Sequence, residues 1–134
     1  MLRPKGKDAQ ADMVRNTIPE GVECKFVRQA EQLGLGHAVL CAERAIGGEP
    51  FAVLLADDFL TDYKPVVTAD LAQAFARSSK SQLSVMEFDG PDISKYGVVV
   101  PNGWGASIAG LVEKTDANEV SSNVASIGRY VLTP

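Results

Sequence analysis

Two adjacent carboxylates, Asp57 and Asp58, stand at the end of an apolar run at residues 51–55. A short run of this kind predicts a strand buried on both faces of a sheet. Ligands of open α/β sheets bind beyond the carboxyl ends of the strands, where an acid can meet a metal ion or a phosphate. Asp57, the first polar residue after the strand, is therefore our candidate for a functional carboxylate. Asp58 is explained more simply as a cap of the next turn.

A second group of candidates lies at residues 27–37, where a polar strand end leads into a glycine-containing loop and a helix. Gly34 and Gly36 allow a ligand to approach the backbone closely, and a helix N-terminus favours an anion. The pattern GxGxxG is not completed because residue 39 is valine. By itself the loop is therefore also consistent with an ordinary helix entry. His37 is more simply a packed or solvent-bonded histidine than a catalytic one.

Two later stretches place possible ligand-binding groups on strands. Gly97 lies inside an apolar run, and a glycine there indicates a bulge or a backbone approached by a ligand. Glu113 and Lys114 follow another apolar run. Because strand alternation sends neighbours to opposite faces, these two can contact one ligand only if the strand ends or bulges there.

The composition limits the class of protein. The chain has 134 residues, of which 46% are hydrophobic, and this suits a single domain with a core. The net charge of −4 gives no reason to expect nucleic acid as a partner. No apolar run approaches the roughly 20 residues of a membrane span, and no secretory signal is present, so we expect a cytoplasmic protein without a membrane partner. Cys24 and Cys41 lack metal-ligand spacing and are expected to be small buried thiols.

The predicted elements alternate between helix and strand and then pair as hairpins, which indicates an α/β mixed sheet. Helices are predicted at residues 8–16, 35–45 and 68–77, the last with Thr68 as its N-cap. Strands are predicted at residues 22–27, 51–55, 82–88, 96–100, 107–113 and 126–132. The turn residues Asn102 and Gly103 predict an antiparallel hairpin between the fourth and fifth of these strands.

Several of these stretches together resemble the sugar-1-phosphate nucleotidylyltransferases in order and spacing from residue 22 onward. The matching stretches are VRQ at 27–29, LGLGHAVLCA at 33–42, AVLLAD at 52–57, YGVV at 96–99, VEK at 112–114 and SNVASIGRY at 122–130. The stretch at 33–42 favours the bacterial UTP–glucose-1-phosphate uridylyltransferases. The resemblance implies an incomplete Rossmann-like fold of the nucleotide-diphospho-sugar transferase type, a mixed sheet with flanking helices and a β-hairpin.

The resemblance also implies a reaction, the transfer of a uridylyl group from UTP to glucose 1-phosphate to give UDP-glucose and pyrophosphate. It implies that Gln29 and the backbone of Gly34 read the uracil edge, since an amide both donates and accepts. Asp57 would hold Mg²⁺, which bridges the phosphates during transfer.

For the sugar, the resemblance implies that Gly97 and Glu113 bind the glucose hydroxyls. Lys114 would pair with the sugar phosphate as a point charge, and with Asp57 it would form the catalytic pair. Asn123 and Val124 fall where the family closes over the sugar.

The sequence departs from the family at both ends. It contains no GxGTRxxPxTK segment, which in the family cradles the triphosphate, and it stops soon after the stretch 122–130. We therefore expect residues 1–134 to be the central part of a catalytic domain, lacking the C-terminal helices and the second metal-binding aspartate. Such a chain is expected to be inactive alone and to form a homo-oligomer.

Three alternatives stay open. A thymidylyltransferase would differ only in base and sugar contacts, and a non-catalytic fragment would only bind or self-associate. A receiver-type signalling domain also ends a strand with an acidic pair. Receivers place that pair on the first strand, whereas two predicted elements precede Asp57, and the lysine–proline step at Lys64 comes too early.

Overall fold

The computed structural model describes residues 8–60, 67–103, 107–113 and 122–134. Contacts divide the chain into two compact units, Met1–Ala45 and Ile46–Pro134. The elements in chain order are α1 (Asp8–Arg15), α2 (Leu35–Cys41), α3 (Glu43–Ile46), β1 (Phe51–Leu54), α4 (Val67–Ser78), β2 (Gln82–Glu87), a 3₁₀ helix (Pro91–Lys95), β3 (Gly97–Pro101), β4 (Ile108–Glu113) and β5 (Val124–Leu132). None of the helices in these ranges is long and apolar enough to cross a membrane.

The first unit consists of short helices joined by an extended segment. The strand predicted at residues 22–27 is not formed, because none of the described residues pairs with this segment and a strand needs a partner for its backbone groups. Its apolar side chains are exposed, Phe26 to 96%. Cys24 is exposed as well, so the expectation of a buried thiol at this position is wrong, whereas Cys41 is half-buried.

The predicted helix at residues 35–45 is two helices in the structure. The backbone leaves the α-helical pattern at Ala42, whose N–H reaches back three residues to Val39 O at 3.0 Å. This tighter turn ends α2 at Cys41, and α3 begins at Glu43. The break leaves α2 only seven residues long.

The second unit is an antiparallel sheet centred on β5. Strand β2 pairs with β5 along one edge from Gln82 to Glu87. On the opposite edge β1 pairs with residues 129–132, and β3 pairs with residues 125–126. β4 then pairs with β3 as the predicted antiparallel hairpin. Every pairing among the described strands is antiparallel, so β1 and β2 run in the same direction on either side of β5.

The core of this unit lies where β3 and β5 meet the 3₁₀ helix. Ile93, Val98 and Ala125 are almost completely buried, and the rings of Phe88 and Tyr96 pack against them with centroids 4.7 Å apart. A tilted ring pair at this separation adds attraction to the burial of apolar area.

Helix α4 covers β2 and β5 with the face that the sequence predicts. Leu71, Ala74 and Phe75 are half-buried, and the helix packs against both strands. The i, i+3, i+4 spacing places these three side chains on one face. Thr68 lies inside the helix, which begins at Val67, so the prediction that Thr68 is its N-cap is wrong.

Strand β1 differs from the expectation that it is buried on both faces. Phe51 and Val53 are half-buried, but Ala52 and Leu54 are exposed, the latter to 56%. Within the described part of the chain β1 pairs with β5 alone. The apolar run therefore forms a strand with one covered face, because an uninterrupted apolar sequence does not by itself show what lies against its second face.

Candidate functional site

The glycine loop of the first unit is shaped by Gly34. Its φ of 89° and ψ of −179° belong to a region that only glycine adopts without strain. A Cβ atom built at Gly34 would meet nothing within 4 Å, so the residue is required for its backbone angles and its backbone face is open. Gly34 O accepts the first helical bond of α2, from Ala38 N at 3.2 Å.

Gln29 lies against this loop through its side-chain amide. Nε2 of Gln29 donates to Gly34 O at 3.1 Å and lies 2.9 Å from Nδ1 of His37. The other imidazole nitrogen, Nε2 of His37, lies 3.8 Å from Sγ of Cys41. The structure thus brings together Gln29 and Gly34, the two residues to which the resemblance assigns base recognition. It also adds His37, which sequence reasoning treated as an ordinary histidine.

In the second unit the segment after β1 runs along the edge of β5. The pairing of β1 continues to Leu55, whose N–H donates to Gly128 O at 2.9 Å. Asp58 then accepts a hydrogen bond from Gly128 N at 2.8 Å. The carboxylate of Asp58 is therefore used within the fold, as a partner for a strand rather than as the cap of a turn. Asp57 is exposed, and no hydrogen bond or ion pair joins it to another described residue.

Gly128 and Arg129 complete this arrangement and were not assigned a role from the sequence. A Cβ at Gly128 would lie 2.5 Å from Oδ2 of Asp58 and 2.8 Å from Cβ of Leu55, so only glycine fits. Nη1 of Arg129 donates to Leu55 O at 3.0 Å and to Gly128 O at 2.8 Å. The signal in the sequence was the stretch SNVASIGRY, which contains both residues.

On its other edge β5 is irregular at the same place. The register with β2 shifts between Leu83 and Ser84, and the buried hydroxyl of Ser84 is shared between the carbonyl oxygens of Ile127 and Arg129. An irregularity of this kind bends the strand and redirects its side chains. The irregularity coincides with Gly128 and Arg129, the two residues that bond to the segment after β1.

A carboxylate covers a glycine where β3 and β4 pair. Gly97 lies opposite Glu113 in the register, and a Cβ at Gly97 would be 3.5 Å from Oε1 of Glu113. Glu113 is exposed, so its carboxylate stands in solvent above a backbone that carries no side chain. An ionised carboxylate only accepts hydrogen bonds, so a ligand that contacts Glu113 here must bring donors such as hydroxyl groups.

The order of pairing along β5 places Gly97 and its partner Glu113 near the end of β1. On one edge of β5 the pairing with β1 ends at Arg129, and the pairing with β3 is at Ser126 and Ala125. Strand β1 runs toward β3, so the chain that follows β1, including Asp57, leads into the interval between the two strands. Residues 126 and 129 are about 10 Å apart along a strand.

The remaining sequence-predicted residues lie around this interval or outside the description. Asn123 is exposed and Val124 half-buried at the start of β5, where Phe88 N donates to Asn123 O at 2.8 Å. Lys114 lies outside the described residues. Lys95, two residues before Gly97, pairs with Asp92 at 2.6 Å, and this hydrogen bond and the negative charge raise the pKa of Lys95.

The carboxylates near the end of β1 can be compared with what binding of the expected Mg²⁺ needs. Within the described ranges no three His, Cys, Asp or Glu side chains cluster closely enough to hold an ion. Mg²⁺ does not need such a cage, because it keeps several waters and is bound by one or two carboxylates together with substrate phosphates. The exposed carboxylate of Asp57 at a strand end fits that mode.

Comparisons with known proteins agree with this architecture. The nucleotidyl transferase family model matches residues 4–134. The UTP–glucose-1-phosphate uridylyltransferase of Haemophilus ducreyi is 38% identical, with 99% of this chain and 48% of that protein covered. A UDP-glucose pyrophosphorylase solved with UDP-glucose is 39% identical with a TM-score of 0.76, over 82% of this chain and 43% of that one. An apo-UDP-glucose pyrophosphorylase is 38% identical with a TM-score of 0.79, over 96% of this chain and 48% of that one.

These similarities confirm the resemblance and the α/β fold class expected from the sequence, and they leave the receiver-type alternative without support. The chain spans about half the length of the relatives it matches. Since the family model covers nearly all of the sequence, the chain belongs to the nucleotidyl transferase family.

Proposed function

We propose that the chain forms the central part of a UTP–glucose-1-phosphate uridylyltransferase. This enzyme transfers the uridylyl group of UTP to glucose 1-phosphate and gives UDP-glucose and pyrophosphate. A phosphate oxygen of glucose 1-phosphate bonds to the α-phosphorus of UTP, and the bond from that phosphorus to the departing pyrophosphate breaks. The observation that carries the proposal is the contact between Gln29 and Gly34 in an open glycine loop.

The loop has the chemistry to recognise uracil. Both protons of Nε2 in Gln29 face acceptors within the protein, which leaves Oε1 as the group that can meet a ligand. Uracil presents an N3–H donor between two carbonyl oxygens, so N3–H donates to Oε1 and the backbone N–H of Gly34 donates to a carbonyl of the base. Cytosine presents a lone pair at N3 instead and leaves Oε1 without this donor.

The second unit supplies the groups for the sugar and the phosphates. Glu113 accepts hydrogen bonds from glucose hydroxyls, which approach closely because Gly97 beside it has no side chain. Lys114 pairs with the sugar phosphate. Asp57 would hold Mg²⁺, which would supply positive charge to the phosphates. Asn123 and Val124 border the sugar. Cytoplasmic localisation and a homo-oligomeric state stay predictions of the sequence.

Calorimetric titration of the chain with UTP and UDP-glucose tests the proposal. Gln29→Leu removes the acceptor and leaves the uracil N3–H unpaired, which weakens binding of both ligands by about 5- to 150-fold. Gln32→Leu is the matched control, because Gln32 is exposed on the same loop and makes no side-chain hydrogen bond to a described residue. Equal affinities for the two variants would contradict the assignment.

A binding competition between UTP and dTTP distinguishes a uridylyltransferase from a thymidylyltransferase. Uracil and thymine present the same hydrogen-bonding edge and differ by one methyl group, so the contact with Gln29 does not distinguish them. The stretch at 33–42 and the uridylyltransferase relative both favour UTP. Preferential displacement of UTP by dTTP would support the alternative.

A further inference from the structure

The hydrogen bonds around Gln29 determine which way its amide points. The carbonyl oxygen of Gly34 can only accept, so the Gln29 atom that lies 3.1 Å from it must be the NH₂ group. An inverted amide would place two oxygens in contact. The hydrogen bond to Gly34 O therefore fixes the orientation of the Gln29 amide.

The same NH₂ group determines the state of His37. Nε2 of Gln29 lies 2.9 Å from Nδ1 of His37, so Nδ1 must offer a lone pair and the imidazole proton resides on Nε2. That proton is directed at Sγ of Cys41, 3.8 Å away and one helical turn further along α2. Gln29, His37 and Cys41 are all half-buried, which reduces competition from water for these bonds.

We propose that His37 is a positioning residue that holds the amide of Gln29 in one orientation, and thereby makes the base site select a uracil over a cytosine. The selectivity rests on the proposed function of Gln29. His37 occupies the second proton of Nε2, so the amide has only Oε1 to offer. Without His37 the bond to Gly34 alone opposes inversion of the amide, and an inverted amide presents protons to the N3 lone pair of cytosine.

His37→Leu and His37→Asn separate positioning from packing. Leucine fills the space without an acceptor, whereas the side-chain oxygen of asparagine can accept from Gln29 near the position of Nδ1. The loss of one of two hydrogen bonds lowers the preference for UTP over CTP by about 2- to 12-fold in His37→Leu. His37→Asn restores most of it. Cys24→Ala is the control, because Cys24 is exposed and makes no bond to this cluster.

Two readouts are measured on the whole chain. Nitrogen-15 spectra of the imidazole report the tautomer without ligand, and they are unambiguous because the sequence contains a single histidine. We expect the proton on Nε2. Calorimetric affinities for UTP and CTP then give the base preference of each variant. We expect His37→Leu to weaken UTP binding and to leave CTP binding unchanged or stronger.

A proton on Nδ1 would overturn the proposal, since it would exclude the bond from Gln29. Equal weakening of both nucleotides in His37→Leu would also overturn it, because a packing defect lowers both affinities alike. Failure of the unaltered chain to bind UTP or UDP-glucose contradicts the proposed function and removes the selectivity claim. In that case the tautomer still tests the contact between Gln29 and His37.

Discussion

Gly128→Ala is the perturbation with the clearest structural cost. The added Cβ would lie 2.5 Å from Oδ2 and 2.8 Å from Cβ of Asp58, and 2.8 Å from Cβ of Leu55. Non-bonded carbon atoms pack at about 3.5–4.0 Å, so the segment after β1 must move away from β5. The movement breaks the hydrogen bond from Gly128 N to Asp58 and that from Leu55 N to Gly128 O.

The magnitude follows from these two effects. Overpacking costs about 1–3 kcal/mol, and the loss of a hydrogen bond to a charged acceptor costs about 1.5–3 kcal/mol. Moving the segment away relieves the overpacking but breaks the hydrogen bond, so the two costs do not add in full. We expect a total loss of about 2–4 kcal/mol in the free energy of unfolding. With a urea m-value of about 1–3 kcal/mol/M, the unfolding midpoint falls by about 1 M or more.

Urea unfolding monitored by circular dichroism measures this change. Gly110→Ala is the matched control, since Gly110 also lies on a strand and a Cβ there meets nothing within 4 Å. We expect that variant to remain within about 0.5 kcal/mol of the unaltered chain. Similar midpoints for the two alanine variants would refute the packing of Asp58 on Gly128.

Three further outcomes are expected. In Asp57→Asn, Mg²⁺ no longer strengthens UTP binding, and the affinity for UTP in the presence of Mg²⁺ falls by about tenfold or more. Asp58→Asn keeps the effect of Mg²⁺, because an amide oxygen can still accept from Gly128 N. Calorimetry with and without chelator measures both variants, and an equal loss in the two would contradict the assignment. Light scattering of the chain gives a mass above 14.3 kDa, because side chains such as Phe59 are 85% exposed and favour self-association; a clean monomer at high concentration would refute this. Asp92→Asn lowers the pKa of Lys95, which an NMR titration measures. Because the pKa of Lys95 is raised in the folded state, the pair stabilises the fold below the ordinary lysine pKa and ceases to do so as the pH rises through the raised value. An unchanged titration in the variant would show that the pair is absent in solution.

Local chemistry explains which elements could be predicted. The hairpin of β3 and β4 follows from turn residues between two apolar runs, and the inner face of α4 follows from helical spacing. Both depend on residues close together in the sequence. The strand expected at 22–27 failed for the opposite reason, since alternation describes a segment but does not supply its partner. The covered and exposed faces of β1 likewise depend on what lies across the sheet.

The candidate site shows the same division. Residue types and spacing singled out Gly34, Asp57, Gly97 and Glu113, and the resemblance added Gln29. The structure shows Gln29 bonded to Gly34 and Gly97 paired with Glu113. The contacts that orient these groups could not be read from the sequence. Gly128 meets Asp58 across 70 residues of chain, and His37 meets Gln29 only because an irregular loop folds back on a helix.

The central claim is that this chain carries the uridine- and sugar-recognising part of a uridylyltransferase. Chemical-shift mapping of the isotope-labelled chain with UDP-glucose tests it most directly. We expect perturbations at Gln29, Gly34, Gly97, Glu113 and Lys114, with α4 (Val67–Ser78) unaffected. Perturbations confined to α4, or none at millimolar ligand, would contradict it.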